Sequence, residues 1–345
     1  MKIILPTLYD TRGGSTRVLL ACAAALRDAH AVRVRAPLDE ADDPMPADFP
    51  AAPLVGARAK AAILPRLARL VAREAAYLRR VRPDVVWVHD EPALYVHGLA
   101  ARALSPRPVI VWHLHMTAGT GLARRLRLAL ADRIVSVSRH AAAALPGATI
   151  LRNPVAPPPA APAAAGGPSI SVVGALVPRK NAGLALDVLA ALPDSLLALI
   201  GPELDPAYAA ALRDRAAPFG ARVAFLGPRP ADEVWAAASG VALFPSRLEN
   251  QPLALVEAVL VGRPVVATDI PAHREIFQDL GLDPAGLAPP EPAALARAIR
   301  TARPPDPVAV ALARALFAPE RFADEVRAFT ARLPSPGWAR GARCA

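Results

Sequence analysis

The sequence predicts an α/β protein of two doubly wound parallel-sheet domains, and three observations predict it. Short β-branched runs alternate with longer Ala- and Leu-rich segments of helical period, the pattern of repeated βα units. The rhythm breaks once, between Pro154 and Pro168, where the chain is almost entirely Ala, Pro and Gly without a charge, and then it restarts. A length of 345 residues also exceeds what one hydrophobic core supports.

In the first domain, residues 1–153, strands are read at Lys2 to Leu5, Ala31 to Arg35, Asp84 to Val88, Pro108 to Trp112, Arg133 to Val137 and Thr149 to Leu151, with helices between them. Residues 154–168 form a solvated linker. The second domain, residues 169–318, has strands at Ser169 to Val173, Leu196 to Ile200, Arg222 to Leu226, Val241 to Phe244 and Pro264 to Ala267. A last helix, Glu320 to Arg332, carries Phe322, Val326 and Phe329 on one stripe, which needs a surface to pack on, here the first domain. The tail from Pro334 has no period and reads as frayed.

Alanine inflates the apolar fraction to 54% while aromatics supply only 5%, so burial must come from small residues at close helix and strand contacts. The net charge of +10 favours an anionic partner: a nucleotide diphosphate, a phospholipid surface or a nucleic acid. The last is disfavoured, because the basic residues are spread out and aromatics are not interleaved with them. Cys22 and Cys344 form neither a disulfide framework nor a metal-ligand pattern, which suits a reducing cytoplasm. No apolar run reaches the length of a membrane span. Leu19 to Cys22 imitates a lipoprotein cleavage box, but Arg12 and Arg17 occupy the place of its hydrophobic segment.

Ligands of open parallel sheets bind beyond the carboxyl ends of the strands, and five segments lie there or carry charge near it. Gly13 and Gly14 open a helix after the first strand, where a backbone can approach a phosphate or sugar; Ser15 or Thr16 as a plain N-cap is the even alternative. Gly174 to Lys180 follows the first strand of the second domain. It is not a Gly-x-Gly-x-x-Gly fingerprint, and nothing else in the chain is, so a nicotinamide dehydrogenase loses support. Arg179 and Lys180 could neutralise a diphosphate, against the alternative of a solvated basic loop. Pro245 to Ala258 is the most specific segment, with Glu249 in a loop, Pro252 in the first turn of a helix and Glu257 on its second turn. One carboxylate can take ribose hydroxyls while the other reaches a sugar; the bland alternative is a dipole-complementing Glu249 and a solvated Glu257. In Trp112 to Thr117, an imidazole of His113 or His115 could relay a proton or bind a sugar, and a structural histidine is equally compatible with either position. Finally, Ile63, Leu67, Leu70, Leu78 and Val81 oppose Arg66, Arg69, Arg73 and Arg80 on one helix. With Arg124, Arg125 and Arg127 they could hold an anionic membrane leaflet, although an ordinary solvated face accounts for them better.

The stretch from Pro245 to Thr268, with Glu249 and Glu257 separated by seven residues, resembles the donor-site signature of glycosyltransferase family 4 enzymes of GT-B fold. Gly13-Gly14, Asn153-Pro154-Val155 and Gly174 to Lys180 follow in that family's order, so the resemblance spans nearly the whole chain. It implies two Rossmann-like domains facing across a cleft, and a nucleotide diphosphate-sugar donor in the second. The acceptor, a sugar, a lipid-linked or a small molecule, would lie against the first. Transfer would retain the anomeric configuration without a metal or other cofactor, in cell-envelope glycan or glycoconjugate synthesis, by a protein of the cytoplasm or peripheral on the inner face of the membrane. By the same resemblance Glu257 binds ribose, Glu249 sits by the sugar and Lys180 and Asn250 join the donor site, while amides near Gln251, Pro252 and Leu253 surround the sugar and phosphates, with one donor fewer because Pro252 has no amide hydrogen. Gly14 joins the donor site and His115 the catalytic group, with Gly13 and His113 near acceptor or sugar. Ala175 departs from the family's frequent arginine after this glycine, and Arg179 is placed to supply that charge. An epimerase or phosphorylase of similar fold, and a non-catalytic nucleotide-sugar-binding partner, are the alternatives.

Overall fold

The computed structural model describes residues 1–9, 13–39, 41–45, 64–145, 147–159 and 169–334. Arg12, Ile63, residues 160–168 of the Ala/Pro-rich linker, Cys344 and the rest of the tail from 335 lie outside them. The chain forms two compact units, one of Met1–Pro154 with the segment from Pro319, the other of Val155–Ala318.

In the first unit, β1 (Lys2–Pro6), β2 (Ala31–Ala36), β3 (Asp43–Pro44), β4 (Val85–Val88), β5 (Val109–Leu114), β6 (Arg133–Ser136) and β7 (Thr149–Ile150) pair in the order β3-β2-β1-β4-β5-β6-β7. Every pairing is parallel. The strands are linked by α1 (Gly14–Leu26), α2 (Leu64–Val81), α3 (Glu91–Arg102), α4 (Gly121–Leu130) and α5 (Arg139–Ala142).

The second unit repeats the scheme with β8 (Ser169–Val173), β9 (Leu196–Ile200), β10 (Val223–Gly227), β11 (Val241–Phe244), β12 (Val265–Thr268) and β13 (Leu287–Ala288), in the order β10-β9-β8-β11-β12-β13. Its helices are α6 (Ala182–Ala190), α7 (Pro206–Ala216), α8 (Val234–Ala237), α9 (Leu253–Leu260), α10 (Pro271–Leu280), α11 (Pro292–Thr301) and α12 (Pro307–Leu316). A final helix, α13 (Pro319–Ala331), belongs to the first unit. The two-residue strands β3 and β13 escape a sequence reading because they are too short to show a period.

Strand parity sorts the first unit's core into two layers. Ile3, Leu5, Val85, Trp87, Val109 and Val111 face α1 and α13, whose Phe322, Val326 and Phe329 are buried there. Their neighbours Ile4, Val86, Val88, Ile110, Trp112 and Leu114 face the opposite layer with Leu78, Leu94 and Leu130. The apolar stripe on α13 is thus covered by the first unit, and Arg327 fastens it by donating from Nη1 to Ala25 O at 3.2 Å. In both sheets the strand order turns back between two adjacent strands, β1 and β4 in one, β8 and β11 in the other, which creates a crevice at their carboxyl ends.

One buried ion cluster secures α2 to the first sheet. Arg35 on β2 donates to Glu74 through Nε (2.6 Å) and Nη2 (2.8 Å), and His97 Nε2 on α3 lies 3.4 Å from the same carboxylate. Glu74 is completely buried. Burial pushes its pKa up, but the hydrogen bonds and charges of Arg35 and His97 outweigh this and hold it well below the usual carboxylate range. Since the folded value is depressed, Glu74's contribution to stability is complete above the ordinary carboxylate pKa and is lost as pH falls through the folded one. Glu74→Gln leaves a buried guanidinium without its counter-charge and is expected to cost about 3 kcal/mol in urea unfolding at neutral pH, with the deficit shrinking under strong acid. An unchanged unfolding midpoint would show that the cluster does not stabilise the unit.

Candidate functional site

In the second unit, the loops after β8 and β11 flank the point where strand order reverses, and both are shaped by local backbone rules. Gly174 ends β8 at φ +149° and Gly201 ends β9 at φ +151°. A Cβ on Gly201 would lie 2.2 Å from the Gly174 carbonyl oxygen, so only glycine permits the two strand ends to approach this closely. The chain then turns through a short 3₁₀ segment, Pro178–Lys180. Arg247 N donates to Arg179 O at 2.8 Å, joining this loop to the one after β11.

Between these loops lies Glu249, buried to 8% exposure. Lys180 Nζ stands 2.6 Å from Oε1 and Arg179 Nη1 3.3 Å from Oε2, while Ser246 Oγ donates to Oε1 at 3.0 Å. Burial raises the carboxyl pKa, yet Lys180 and then Arg179 more than reverse the shift, so it stays below its ordinary value and Glu249 is ionised at neutral pH. Behind it His273 on α10 is completely buried and donates from Nδ1 to Thr268 O (2.7 Å). Burial lowers His273 to about 4, so it is a neutral imidazole and adds no charge. Two cations therefore face one carboxylate, leaving the cluster net positive.

The same loop delivers the N-terminus of α9. Pro252 is its N-cap rather than a first-turn residue: φ −76° and ψ 92° are extended, and the helix begins at Leu253. The first amides of α9 have no intrahelical acceptor, and their dipole end adds to the positive field. Asn250 and Gln251, directly before it, are buried, and Asn250 Nδ2 has no hydrogen-bond partner among the described residues. Glu257 is partly exposed on the second turn of α9, where the buried Trp235 indole N–H donates to its Oε2 at 3.1 Å. A solvated Glu257 is thus replaced by one held in orientation. Trp235 is a partner of Glu257 that sequence reasoning missed, because a lone Trp in a short helix carries no spacing signal.

In the first unit, α1 starts at Gly14 with Gly13 as N-cap, so neither Ser15 nor Thr16 caps it. Both glycines are exposed, and a Cβ on Gly13 would meet nothing within 4 Å. Asp90, after β4, accepts from Ala93 N (2.7 Å) as the cap of α3 and from Leu8 N (3.2 Å), tying together the loops after β1 and β4.

The two histidines of the Trp112 to Thr117 segment separate. His115 follows β5, is half-buried, and its Nε2 lies 3.1 Å from His89 Nδ1; burial lowers its pKa to about 3, so it is a neutral imidazole. His113 lies deeper than His115, with the two rings stacked at 4.5 Å. It is inside β5, completely buried, and shares the parity of Val109 and Val111, which turns it toward α1. His89 is the second residue missed by sequence reasoning. It extends the parity of Val85 and Trp87 beyond β4, and its ring stacks with that of His115.

Comparison with known proteins bears on both units. A "Glycosyltransferase Family 4" model matches residues 12–155, and a "Glycosyl transferases group 1" model matches residues 167–302. No curated protein sequence matches the chain. Among solved structures, Anabaena HepE in complex with UDP-glucose is 20% identical with a TM-score of 0.78, over 96% of this chain and 100% of that one. Sucrose-phosphate synthase from Thermosynechococcus elongatus is 18% identical, TM-score 0.75, over 96% and 98%. The lipopolysaccharide outer core galactosyltransferase WaaB is 18% identical, TM-score 0.69, over 96% and 100%. Two parallel-sheet α/β units match the GT-B architecture of those structures, and with a glycosyltransferase model matching each unit, the chain is a glycosyltransferase of GT-B fold.

Proposed function

We propose that the chain is a retaining family 4 transferase that moves a sugar from a nucleotide diphosphate-sugar to a sugar, lipid-linked or small-molecule acceptor, without a metal. The observation that carries this reading is the net positive cluster of Lys180, Arg179 and Glu249 beside the start of α9. It supplies cationic and amide charge where a diphosphate gathers negative charge as it leaves. Arg179 stands at hydrogen-bonding distance from Glu249, which supports it as the replacement for the arginine that Ala175 omits. HepE was crystallised with UDP and with UDP-glucose, and this supports a uridine nucleotide as the first donor to test.

In this reading Glu257, oriented by Trp235, takes the ribose hydroxyls, Asn250 and Gln251 line the sugar, and Lys180 with Arg179 holds the diphosphate. His115, neutral and near the end of β5, contacts the transferred sugar or its acceptor. Departure of the diphosphate and attack of the acceptor on the same sugar face retain the configuration, with the acceptor proton passing to the leaving phosphate. The neighbours' roles in lipopolysaccharide synthesis support a cell-envelope acceptor.

Exposed apolar residues favour a membrane surface as an additional partner. Leu122 is 82% exposed on α4, one turn before exposed Leu126 and with exposed Arg125 between them; on α2, Arg66, Arg69 and Arg80 are also exposed. Among the described residues no helix is long and apolar enough to cross a membrane, so attachment would be peripheral.

Three measurements test these readings. Glu249→Ala is expected to lower transfer at least about 100-fold while nucleotide diphosphate binding persists or tightens, because Lys180 and Arg179 lose their counter-charge. Unchanged turnover removes Glu249 from the mechanism. Trp235→Phe keeps an aromatic, though smaller, side chain and deletes the N–H to Glu257, and is expected to weaken nucleotide binding about 10-fold in calorimetry; Glu257→Ala should weaken it at least as much, and two unaltered dissociation constants would exclude the ribose assignment. Vesicles containing anionic lipid should sediment the protein at low salt, and Leu122→Ser with Leu126→Ser should abolish this. Equal binding to neutral vesicles would refute the electrostatic part of the docking.

A further inference from the structure

We propose that Cys22, His89 and His113 form a buried site for a single Cu(I) ion beneath α1. The chain brings these side chains together from three elements: Cys22 from the inward stripe of α1, His89 from the end of β4 and His113 from within β5. One ligand atom from each lies within 4.8 Å of the others. Strand parity is the reason, because His89 and His113 continue the rows of Val85 and Trp87, and of Val109 and Val111, that face α1.

The polar bookkeeping of the pocket points to a ligand. Cys22 and His113 are completely buried and His89 is 2% exposed. Among the described residues, neither ring nitrogen of His113 has a hydrogen-bond partner, and neither does His89 Nε2. Buried polar atoms without a partner keep their full desolvation cost, and nothing in an apolar layer offsets it. A metal ion accepts the imidazole lone pairs directly. His89 Nδ1 already faces His115 Nε2 at 3.1 Å, which is the outer hydrogen bond that leaves Nε2 free to coordinate.

Charge and coordination number select the ion. A thiolate with two neutral imidazoles carries one negative charge, and a monovalent ion makes the unit neutral, whereas Zn²⁺ would leave a net positive charge in a dry core. Zinc in closed sites also takes four ligands, and three are assembled by these residues; thiolate and imidazole suit Cu(I). Binding forms one Cu–S and two Cu–N bonds and releases the Cys22 thiol proton to solvent. With Nε2 on the ion, the His89 proton is fixed on Nδ1 and donates to His115, so loading selects the tautomer of the neighbouring ring.

The test uses the full chain with Cys344→Ala as background, so that Cys22 is the sole thiol. The protein is stripped with chelator, titrated anaerobically with Cu(I) against a chromogenic Cu(I) chelator, and in parallel with Zn²⁺. One Cu(I) per chain, a mixed sulfur and nitrogen shell in X-ray absorption and a saturable rise in melting temperature are expected. Cys22→Ala, an apolar exchange in an apolar layer, should still unfold cooperatively but lose stoichiometric binding, and His115→Phe should weaken it about 10-fold. Three results would each overturn the site: no Cu(I) retained by the folded protein, equal retention by folded Cys22→Ala, or preference for Zn²⁺ over Cu(I). Should Cys22→Ala fail to fold, absorption spectroscopy of the background protein decides alone, since a shell without sulfur refutes the assignment.

Discussion

Parallel strand pairing is the constraint from which the chemistry of this chain follows. In a parallel sheet every carboxyl end points the same way, and where the strand order reverses, two neighbouring loops diverge and leave a crevice. Both units place charged side chains there. In one, the loops after β8 and β11 bring Arg179, Lys180 and Glu249 together; in the other, the loops after β1 and β4 are tied by Asp90. The close approach of β8 and β9 at Gly174 and Gly201 is part of the same constraint, since it sets the path on which Lys180 turns back.

Competition between burial and charge decides the ionisation of each site. Desolvation raises the pKa of both Glu249 and Glu74, and in both cases adjacent cations outweigh it, so each stays ionised. For the histidines no counter-charge outweighs burial, and His115 and His273 remain neutral at physiological pH. The second unit therefore presents positive charge without a titratable imidazole to alter it between pH 5 and 8. The three-ring group of His89, His113 and His115 likewise adds no charge to the first unit.

Residues that act through spacing were readable in the chain, and residues that act through parity or packing were not. Glu249 and Glu257 flank a helix start whose sequence announces itself through Pro252, and their loop and helix positions agree with the sequence pattern. Trp235 reaches Glu257 only because α8 packs beside α9, and that proximity leaves no local mark in the sequence. His113 and His115 show what spacing leaves open. Two histidines flanking one leucine look alike as text, but extending β5 to Leu114 puts one inside the sheet and the other beyond it.

By itself the sequence determined the α/β class, the alternation of elements, the break in that rhythm near Pro154 and the acidic pair beside a helix start, because each is written in local periodicity or spacing. Only the tertiary structure decided which face each strand residue takes and which distant elements meet. That choice joined Lys180 to Glu249, Trp235 to Glu257, Arg35 to Glu74 and Cys22 to two histidines. The physical reason is that strand direction, register and parity are settled by burying apolar surface over the whole sheet, and polar side chains then accept the neighbours that packing provides.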